Sequence, residues 1–458
     1  MKKMNKWFIW LVIVIFSFSI VFMGIGCKEE VTPTEEAVPT EEEVSEEAVP
    51  TEEPITIDFW VIAGNENDMW QKFKELYEAE HPNVTIDITI NEHQDHIDLV
   101  PSALASGQEK LDLLFHWGGG KTDEWAREGL LLDLTQYAED NGWYDQMYEG
   151  AQDYIIPGLG TFFLSTDWII SPLVYYNVPV FEELGITPPT TLDEIFTVSE
   201  KLKENGYEPW TISGGKNPYN LAHIYNQLLV RFLSKEDATK YVMWGRDPNK
   251  SAETAEIFRS EGAIKAFDFL QKMAKEGVFA EGFSALDFDS ARLLFTDEKA
   301  AMFGFGMWEV NIIKESNPDL NFDYYLMPSY DGNDAMVASF TNGIIVPSYV
   351  SEEKIPVIVD IISSFLKKEY AAKAYESGLI SPSKNITPEE VSELIDPMVA
   401  RIIADVGKYG SIDIIDIWTS PIRTEVYVDA VVGVSEGSLT PEEAGQIMYD
   451  TALEELEQ

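Results

Sequence analysis

Residues 55–90 read ITIDFWVIAGNENDMWQKFKELYEAEHPNVTIDITI. From Ile55 to Val61 apolar residues alternate with polar ones, which predicts a strand. From Met69 to Tyr77 they recur at helical spacing until His81-Pro82 ends the helix. Alternation returns from Val84 to Ile90 and predicts a second strand. A strand, a helix and a strand in this order form a βαβ unit, which places two parallel strands in one sheet.

The same alternation of strands and helices continues along the chain and predicts the α/β class. Strands are predicted at Leu111–Phe115 and Ser171–Asn177, and helices near Asp123–Glu128, after a capping box at Thr191 and Glu194, and at two Thr-Pro-Glu-Glu motifs that begin at Thr387 and Thr440. The roughly 400 residues after position 54 exceed the usual size of one core, so two lobes are expected.

The first 27 residues have the features of an export signal. Three lysines precede the apolar run Trp7–Ile25, and the small residues Gly24-Ile25-Gly26 stand before Cys27. The pattern resembles a bacterial lipobox, although Gly24 replaces the usual leucine, and the resemblance implies that Cys27 is acylated and anchors the protein. The run is also long enough to remain as an uncleaved membrane anchor. Both alternatives place the rest of the chain outside the cytoplasm.

Residues 28–54 form an acidic segment with eleven glutamates and one lysine. The motif Glu35–Glu42 returns as Glu46–Glu53. So few apolar residues cannot offset the entropy cost of ordering, so we expect a disordered linker between the membrane and the folded part.

The net charge of −48 excludes whole classes of partner. Such a surface repels nucleic acid and anionic lipid headgroups, so we predict no nucleic-acid partner. Cys27 is the single cysteine, so no intramolecular disulfide can form.

Ten short segments, taken in order, resemble the carbohydrate-binding branch of the extracellular solute-binding proteins that serve ABC importers. Together they span the chain from residue 55 onward: Ile57–Trp60, Tyr77–Val84, Leu111–Trp117, Gly129–Leu134, Val174–Asn177, Phe181–Ile186, Ala300–Gly304, Trp308-Glu309, Asn342–Ile344 and Gly378–Ser383. The resemblance implies two α/β lobes of the periplasmic-binding-protein type, each with a mostly parallel sheet flanked by helices, and a ligand cleft at the hinge. The N-terminal lobe is expected to comprise residues 55–165 and 336–368, and the C-terminal lobe residues 166–335 and 369–458.

A saccharide offers a face of C–H bonds and a rim of hydroxyl groups, which match aromatic rings and carboxylates or amides respectively. The family resemblance therefore directs attention to the tryptophans. Trp308 resembles the ring that forms the floor of the cleft, and Trp117 stands where a strand opens into three glycines. Asp167-Trp168 lies near the expected lobe crossing, and Trp418 matches a late aromatic residue that stacks on sugars.

Three polar residues complete the candidate site. Asn65 and Glu66 follow the first strand, and Asn342 lies on the expected returning strand. Each candidate also has a structural alternative, such as a core position for Trp117 or helix capping in the loop that contains Asn65. Trp210 and Lys216 are weaker candidates. Three tryptophans are assigned to core or helix-face positions: Trp60, Trp70 and Trp125.

The sequence contains few motifs that are typical of an enzyme. His93 and His96 stand three apart, but no zincin motif accompanies them, so an exposed polar helix is the preferred interpretation and neither metal nor cofactor is predicted. No Gly-x-Ser-x-Gly elbow occurs. A glycosidase needs only two facing carboxylates, which 80 acidic residues leave open.

The sequence therefore predicts a non-enzymatic, monomeric, extracytoplasmic lipoprotein. It would capture a neutral mono- or oligosaccharide by hinge closure and deliver it to ABC permease subunits. The alternatives that remain are a secreted glycosidase or lyase, a polysaccharide-binding lipoprotein without a transport role, and a receptor for another solute such as a polyamine.

Overall fold

Two β-sheets form the framework of the chain. The structure is a computed structural model that describes residues 53–64, 66–107, 110–415 and 421–457, without the side chains of Glu66 and residues 421–424. The described residues belong to one compact unit. The expected signal peptide, Cys27 and all but the last two residues of the acidic linker lie outside the described residues.

Ten strands are described, and they divide between the sheets. The strands are β1 (Ile55–Ile62), β2 (Val84–Asn91), β3 (Leu113–Trp117), β4 (Leu164–Ile170), β5 (Leu173–Asn177), β6 (Glu208–Thr211), β7 (Ala300–Phe305), β8 (Phe322–Tyr325), β9 (Met336–Ile345) and β10 (Ser411–Ile412). The first sheet has the order β10-β9-β3-β1-β2, with β4 also paired to β9, and the second has the order β6-β7-β5-β8.

Helices flank both sheets. They are α1 (Glu66–Glu80), α2 (His93–Ser106), α3 (Gly120–Arg127), α4 (Thr135–Asp140), α5 (Trp143–Gln146), α6 (Val178–Leu184), α7 (Leu192–Glu204), α8 (Tyr219–Phe232), α9 (Lys235–Met243), α10 (Glu261–Lys275), α11 (Phe288–Thr296), α12 (Glu309–Ser316), α13 (Ile355–Ser364), α14 (Lys368–Glu376), α15 (Pro388–Leu394), α16 (Pro397–Tyr409), α17 (Pro421–Glu436) and α18 (Pro441–Glu457). The α/β class is confirmed. Among the described residues, no helix is both long and apolar enough to cross a bilayer.

The βαβ unit predicted from residues 55–90 is confirmed. Strands β1 and β2 pair in parallel, with Ile57 opposite Ile86. Helix α1 buries the apolar face that its sequence spacing predicts: Trp70 meets Phe59 edge-on at 5.1 Å, and Phe73 stacks on Phe365 at 3.9 Å. The apolar residues of α1 thus pack on the sheet and on the helix that follows β9.

The helix starts predicted at Thr387 and Thr440 are confirmed, and both have a capping box. At Thr387, and likewise at Thr440, the threonine hydroxyl accepts the N3 backbone N–H, and the glutamate three residues on accepts the N-cap N–H. The box predicted at Thr191 is wrong in one detail. Thr191 caps α7, but the Glu194 carboxylate accepts from the backbone N–H and the hydroxyl of Thr190. The Glu194 carboxylate prefers Thr190 because that residue offers two donors, its backbone N–H and its hydroxyl, whereas the backbone of Thr191 offers one.

The chain passes between the sheets at two places. It leaves the first sheet after β4, enters the second at β5, and returns from β8 to β9. Strands β4 and β9 pair antiparallel, with irregular register on both sides of Asp167. Helix α14, expected with the C-terminal lobe, packs on α1 beside the first sheet, where Tyr370 lies 4.9 Å from Phe73. The lobe boundaries stay a prediction, and this packing favours a later crossing than residue 368.

Candidate functional site

A cleft of about 900 Å³ lies between the helices of the two sheets. Its first wall is made by α2, the end of β3 and α3. Its second wall is made by the start of α8, α11, the end of β7 and the start of α12. Ala63 and Gly64, which follow β1, and Gly118, which follows β3, also line it. The cleft therefore lies outside the carboxyl ends of parallel strands, where open α/β sheets bind ligands.

Trp117 dominates the first wall. Its ring lies 5.5 Å from His93 and 5.4 Å from His116, and His116 in turn contacts Trp125 at 4.7 Å. Residue 118, directly after Trp117, is a glycine against which the Tyr154 ring packs closely. A Cβ there would lie 2.3 Å from the ring of Tyr154.

Trp308 dominates the second wall. Its half-buried ring meets Phe305 edge-on at 4.8 Å, and Phe305 also contacts Phe288 at 5.0 Å. Gly306 makes this arrangement possible, since a Cβ at that position would lie 2.1 Å from the Trp308 ring. Glycine is therefore required at position 306, because any larger residue would collide with the Trp308 ring.

His93 connects the two walls. It belongs to α2 of the first wall, yet its ring lies 5.8 Å from Tyr219 and 5.9 Å from Phe288 of the second wall. The walls are therefore in contact across the cleft in this structure.

Three histidines of the first wall are neutral at pH 7. Burial lowers the pKa of His93 and of His96 to about 4, and that of His116 to about 3. His96 is 0% exposed, and its Nε2 lies 3.0 Å from the Phe115 carbonyl oxygen. The expected exposed polar helix is therefore wrong at His96, because the α2 face that carries His96, Val100 and Leu104 is buried.

The cationic side chain of Arg292 in the second wall is neutralised locally. Its guanidinium donates to both carboxylate oxygens of Glu309 at 2.6 and 2.9 Å and to Asp289 at 2.6 Å. Glu309 is 0% exposed, and burial raises the pKa of its carboxyl while Arg292 opposes that rise. The remaining polar side chains of the lining are Glu92, Gln94, Asp98, Lys121, Lys216, Asn217, His223, Asp287, Asn342 and Glu425.

The structure brings three of the predicted ligand residues together. Trp117, Trp308 and Asn342 all line the cleft, as does Lys216. Asp167 does not line the cleft itself but lies behind Asn342, where its carboxylate accepts a hydrogen bond from the Asn342 side-chain N–H at 2.9 Å.

The other candidates lie elsewhere. Trp168 stacks on Phe340 at 5.3 Å and is not part of the lining, and Trp210 is fully buried. Trp418 and Asn65 lie outside the described residues, and Glu66 opens α1 without a described side chain. The ligand-binding roles of all these residues stay predictions.

Besides Trp117 and Trp308, the cleft is lined by aromatic residues that the sequence analysis did not propose as ligand residues: His93, Phe115, His116, Trp125, Tyr219, His223, Phe288 and Phe305. Trp125 was assigned to the core or a helix face, and this assignment is confirmed, since Trp125 is a buried core residue whose ring also borders the cleft. Tyr219 is the first residue of α8, and no local sequence pattern indicates whether such a residue lies in the core or at the edge of a cleft. Within the described residues, no group of three or more His, Cys, Asp or Glu side chains is arranged to hold a metal ion.

The fold and the cleft define a two-lobed binding protein, and comparison with known families identifies which kind. The chain belongs to the family described as bacterial extracellular solute-binding proteins, whose match covers residues 63–355. Members of this family are binding proteins that act outside the cytoplasm.

Three relatives illustrate the match. An uncharacterized ABC transporter extracellular-binding protein of Pyrococcus horikoshii is 22% identical over 399 residues, 86% of each chain. A multiple sugar-binding protein of Streptococcus mutans is 24% identical over 288 residues, 60% of this chain and 62% of its own length. A solved structure described as a chitin oligosaccharide binding protein has a TM-score of 0.75 and 20% identity, and covers 88% of this chain and 98% of its own.

Proposed function

We propose that this protein is a receptor that captures a neutral mono- or oligosaccharide in the cleft and delivers it to an ABC permease. The observation that carries the proposal is the placement of Trp117 and Trp308 on opposite walls of one cleft. Two rings in these positions can cover the apolar C–H faces of a pyranose.

The polar groups of the cleft support a neutral ligand. The Asp98 carboxylate can accept hydrogen bonds from hydroxyl groups, and the Asn342 side-chain amide can both donate and accept them. Arg292 is already neutralised by Glu309 and Asp289, and His93 is uncharged at pH 7. The volume of about 900 Å³ is within the ordinary range for small-molecule sites.

Hinge closure supplies the mechanism. The lobe of the first sheet, together with α14, would move against the lobe of the second sheet, with the crossing segments as hinge. A saccharide that touches Trp117 and Trp308 together binds the closed form better than the open one, so it shifts the population toward closure. A permease that recognises the closed lobe faces would then distinguish loaded receptors from empty ones.

Delivery requires that the receptor stay near the membrane. We propose that acylated Cys27 anchors it there, or that the uncleaved apolar segment does, and that the acidic linker of residues 28–54 lets the folded part reach its partner. The receptor acts as a monomer and returns its ligand chemically unchanged.

A thermal-shift screen of the full chain tests the proposal with mono- and oligosaccharides, polyamines, amino acids and metal ions. A saccharide at 100 times its Kd stabilises by about 2.7 kcal/mol. We expect Trp308→Ala to abolish that shift. Tyr148→Ala is the matched control, since Tyr148 is 41% exposed and is not part of the lining. Cleavage of the saccharide, or a shift with polyamines or metals alone, would overturn the proposal.

A further inference from the structure

A second connection between the two walls lies beside the cleft and involves no ligand-lining residue. Arg246 donates from Nε and Nη2 to the two carboxylate oxygens of Asp123 at 2.7 and 2.6 Å. Its third nitrogen, Nη1, donates to the Asp153 carbonyl oxygen at 2.6 Å. We call this three-bond contact between Arg246, Asp123 and Asp153 the Arg246 clamp.

The backbone of Arg246 lies on the same side of the cleft as the second wall. It ends the short 3₁₀ helix Trp244–Arg246 that follows α8 and α9. Trp244 fixes this helix, because its Nε1 donates to the Thr254 hydroxyl at 3.0 Å and its ring packs on Phe258 at 5.5 Å. The guanidinium therefore reaches outward from an element that has its own firm support.

The partners of Arg246 belong to the first wall. Asp123 lies on α3 between Lys121 and Trp125, both of which line the cleft. Asp153 follows the 3₁₀ helix Glu149–Gln152, which packs against β9 of the first sheet. The clamp thus attaches the helix that carries part of the ligand lining to the opposite wall.

Both side chains of the ion pair are nearly buried, at 12% exposure for Arg246 and 11% for Asp123. A charge that is buried without its partner is strongly unfavourable, so the closed arrangement depends on the intact pair. If the walls separate, both charged groups regain water. Such a contact can release and re-form without local unfolding.

We propose that Arg246 is a positioning residue that sets the balance between closed and open cleft by clamping α3 to the second wall. This inference rests on the lobe movement of the proposed function, but not on the identity of the ligand. The clamp holds Lys121 and Trp125 in place when the cleft is closed, so ligand release requires that it open.

Distance measurement by pulsed electron paramagnetic resonance tests the clamp without any ligand. The full chain with Cys27→Ser carries spin labels at Asp87→Cys on β2 and Glu204→Cys on α7, both exposed positions on opposite sheets. We expect Arg246→Gln, and separately Asp123→Asn, to lower the ratio of the short-distance to the long-distance population at least about 10-fold. The double variant should recover part of this loss, because it leaves no unpaired buried charge.

Arg259→Gln is the matched control. Arg259 makes the same kind of two-bond contact with Glu256, but both residues lie on the side of the second sheet, so the contact does not cross the cleft. We expect this variant to leave the distances unchanged. An unchanged distance distribution in both Arg246→Gln and Asp123→Asn, or an equal change in Arg259→Gln, would overturn the clamp.

Ligand binding then separates the clamp from the proposed function. For a saccharide that stabilises the wild type, we expect Arg246→Gln to raise the dissociation rate at least about 10-fold and to change the association rate little, with the Tm of the free protein nearly unchanged. If no saccharide binds but the distances respond, the clamp stands and the ligand class is wrong. If Arg246→Gln lowers the Tm of the free protein as well as the affinity for the saccharide, Arg246 has a purely structural role and the inference is contradicted.

Discussion

Single glycines decide where the ligand-facing rings can lie. A Cβ at residue 306 would lie 2.1 Å from the Trp308 ring, and this glycine does not need a left-handed backbone. Gly306→Ala should therefore displace the ring and lower saccharide affinity at least about 10-fold, while costing about 1–3 kcal/mol of stability at most. Titration calorimetry together with urea unfolding measures both quantities.

Gly407→Ala on α16 is the control for that substitution. No atom lies within 4 Å of a Cβ added there, so the alanine should raise stability slightly through its better helix propensity. Unchanged affinity in Gly306→Ala would contradict the role given to Trp308.

Buried neutral histidines should make stability depend on pH. The pKa of His96 is about 4 in the folded chain, below its ordinary value of 6.5, so the unfolded chain binds more protons between these values. The stability from neutral His96 is fully present above pH 6.5 and is lost as the pH falls toward 4. His96→Gln removes this dependence and keeps a donor for the Phe115 carbonyl group.

Urea unfolding of both proteins at pH 7 and pH 4.5 measures the effect. The stability advantage of the wild type over His96→Gln should be larger at pH 7, and the difference cancels the titration of the many carboxylates. An advantage that is independent of pH would refute the prediction.

At the level of residues, the sequence predicted the lining only where the family resemblance reached. Trp117 ends β3, Asn342 lies on β9 and Trp308 follows β7, so all three could be placed from the order of the resembling segments. His93 and Trp125 could not, because whether a helical residue faces a core or a cleft depends on what packs against that helix. That information comes from long-range contacts.

At the level of elements, the helix caps offer a quantitative test. Thr387→Ala removes the hydroxyl that accepts the Glu390 backbone N–H and should cost about 1 kcal/mol, whereas Thr387→Ser should cost little. The measurement is the free energy of unfolding in urea. Equal stability of Thr387→Ala and the wild type would show that α15 does not depend on its cap.

Elements with a strong period were predicted from sequence, and elements fixed by distant partners were not. The βαβ unit of residues 55–90 has clear periods of two and 3.6. Strand β10 has only two residues, Ser411 and Ile412, and exists because it pairs with Met336 and Val337. The pairing of β4 with β9 likewise joins residues more than 160 positions apart, which no local pattern indicates.

At the level of the whole molecule, the net charge of −48 should make stability sensitive to salt. Like charges destabilise the compact state, and raising the ionic strength from 0.01 to 0.15 M shortens the Debye length from about 30 to about 8 Å. We therefore expect the Tm to rise over this range in sodium chloride. A scanning calorimetry series measures it, and a falling Tm would mean that attractive ion pairs outweigh the overall repulsion.

The two-lobed organisation was predicted from size and resemblance, but the packing of the chain after β9 was not. Helix α14 packs on α1 through Tyr370 and Phe73, although the sequence analysis assigned residues 369–458 to the other lobe. Helices of both lobes have similar amphipathic patterns, so periodicity cannot tell which sheet a given helix covers.

The central claim is that one saccharide is held intact between Trp117 and Trp308. Calorimetric titration of the full chain with the saccharide that gives the largest thermal shift tests it most directly, when mass spectrometry of the recovered ligand accompanies it. The account predicts one saccharide per chain, recovered unchanged, with binding lost in both Trp117→Ala and Trp308→Ala. Hydrolysis of the saccharide, or full affinity in either variant, would contradict it.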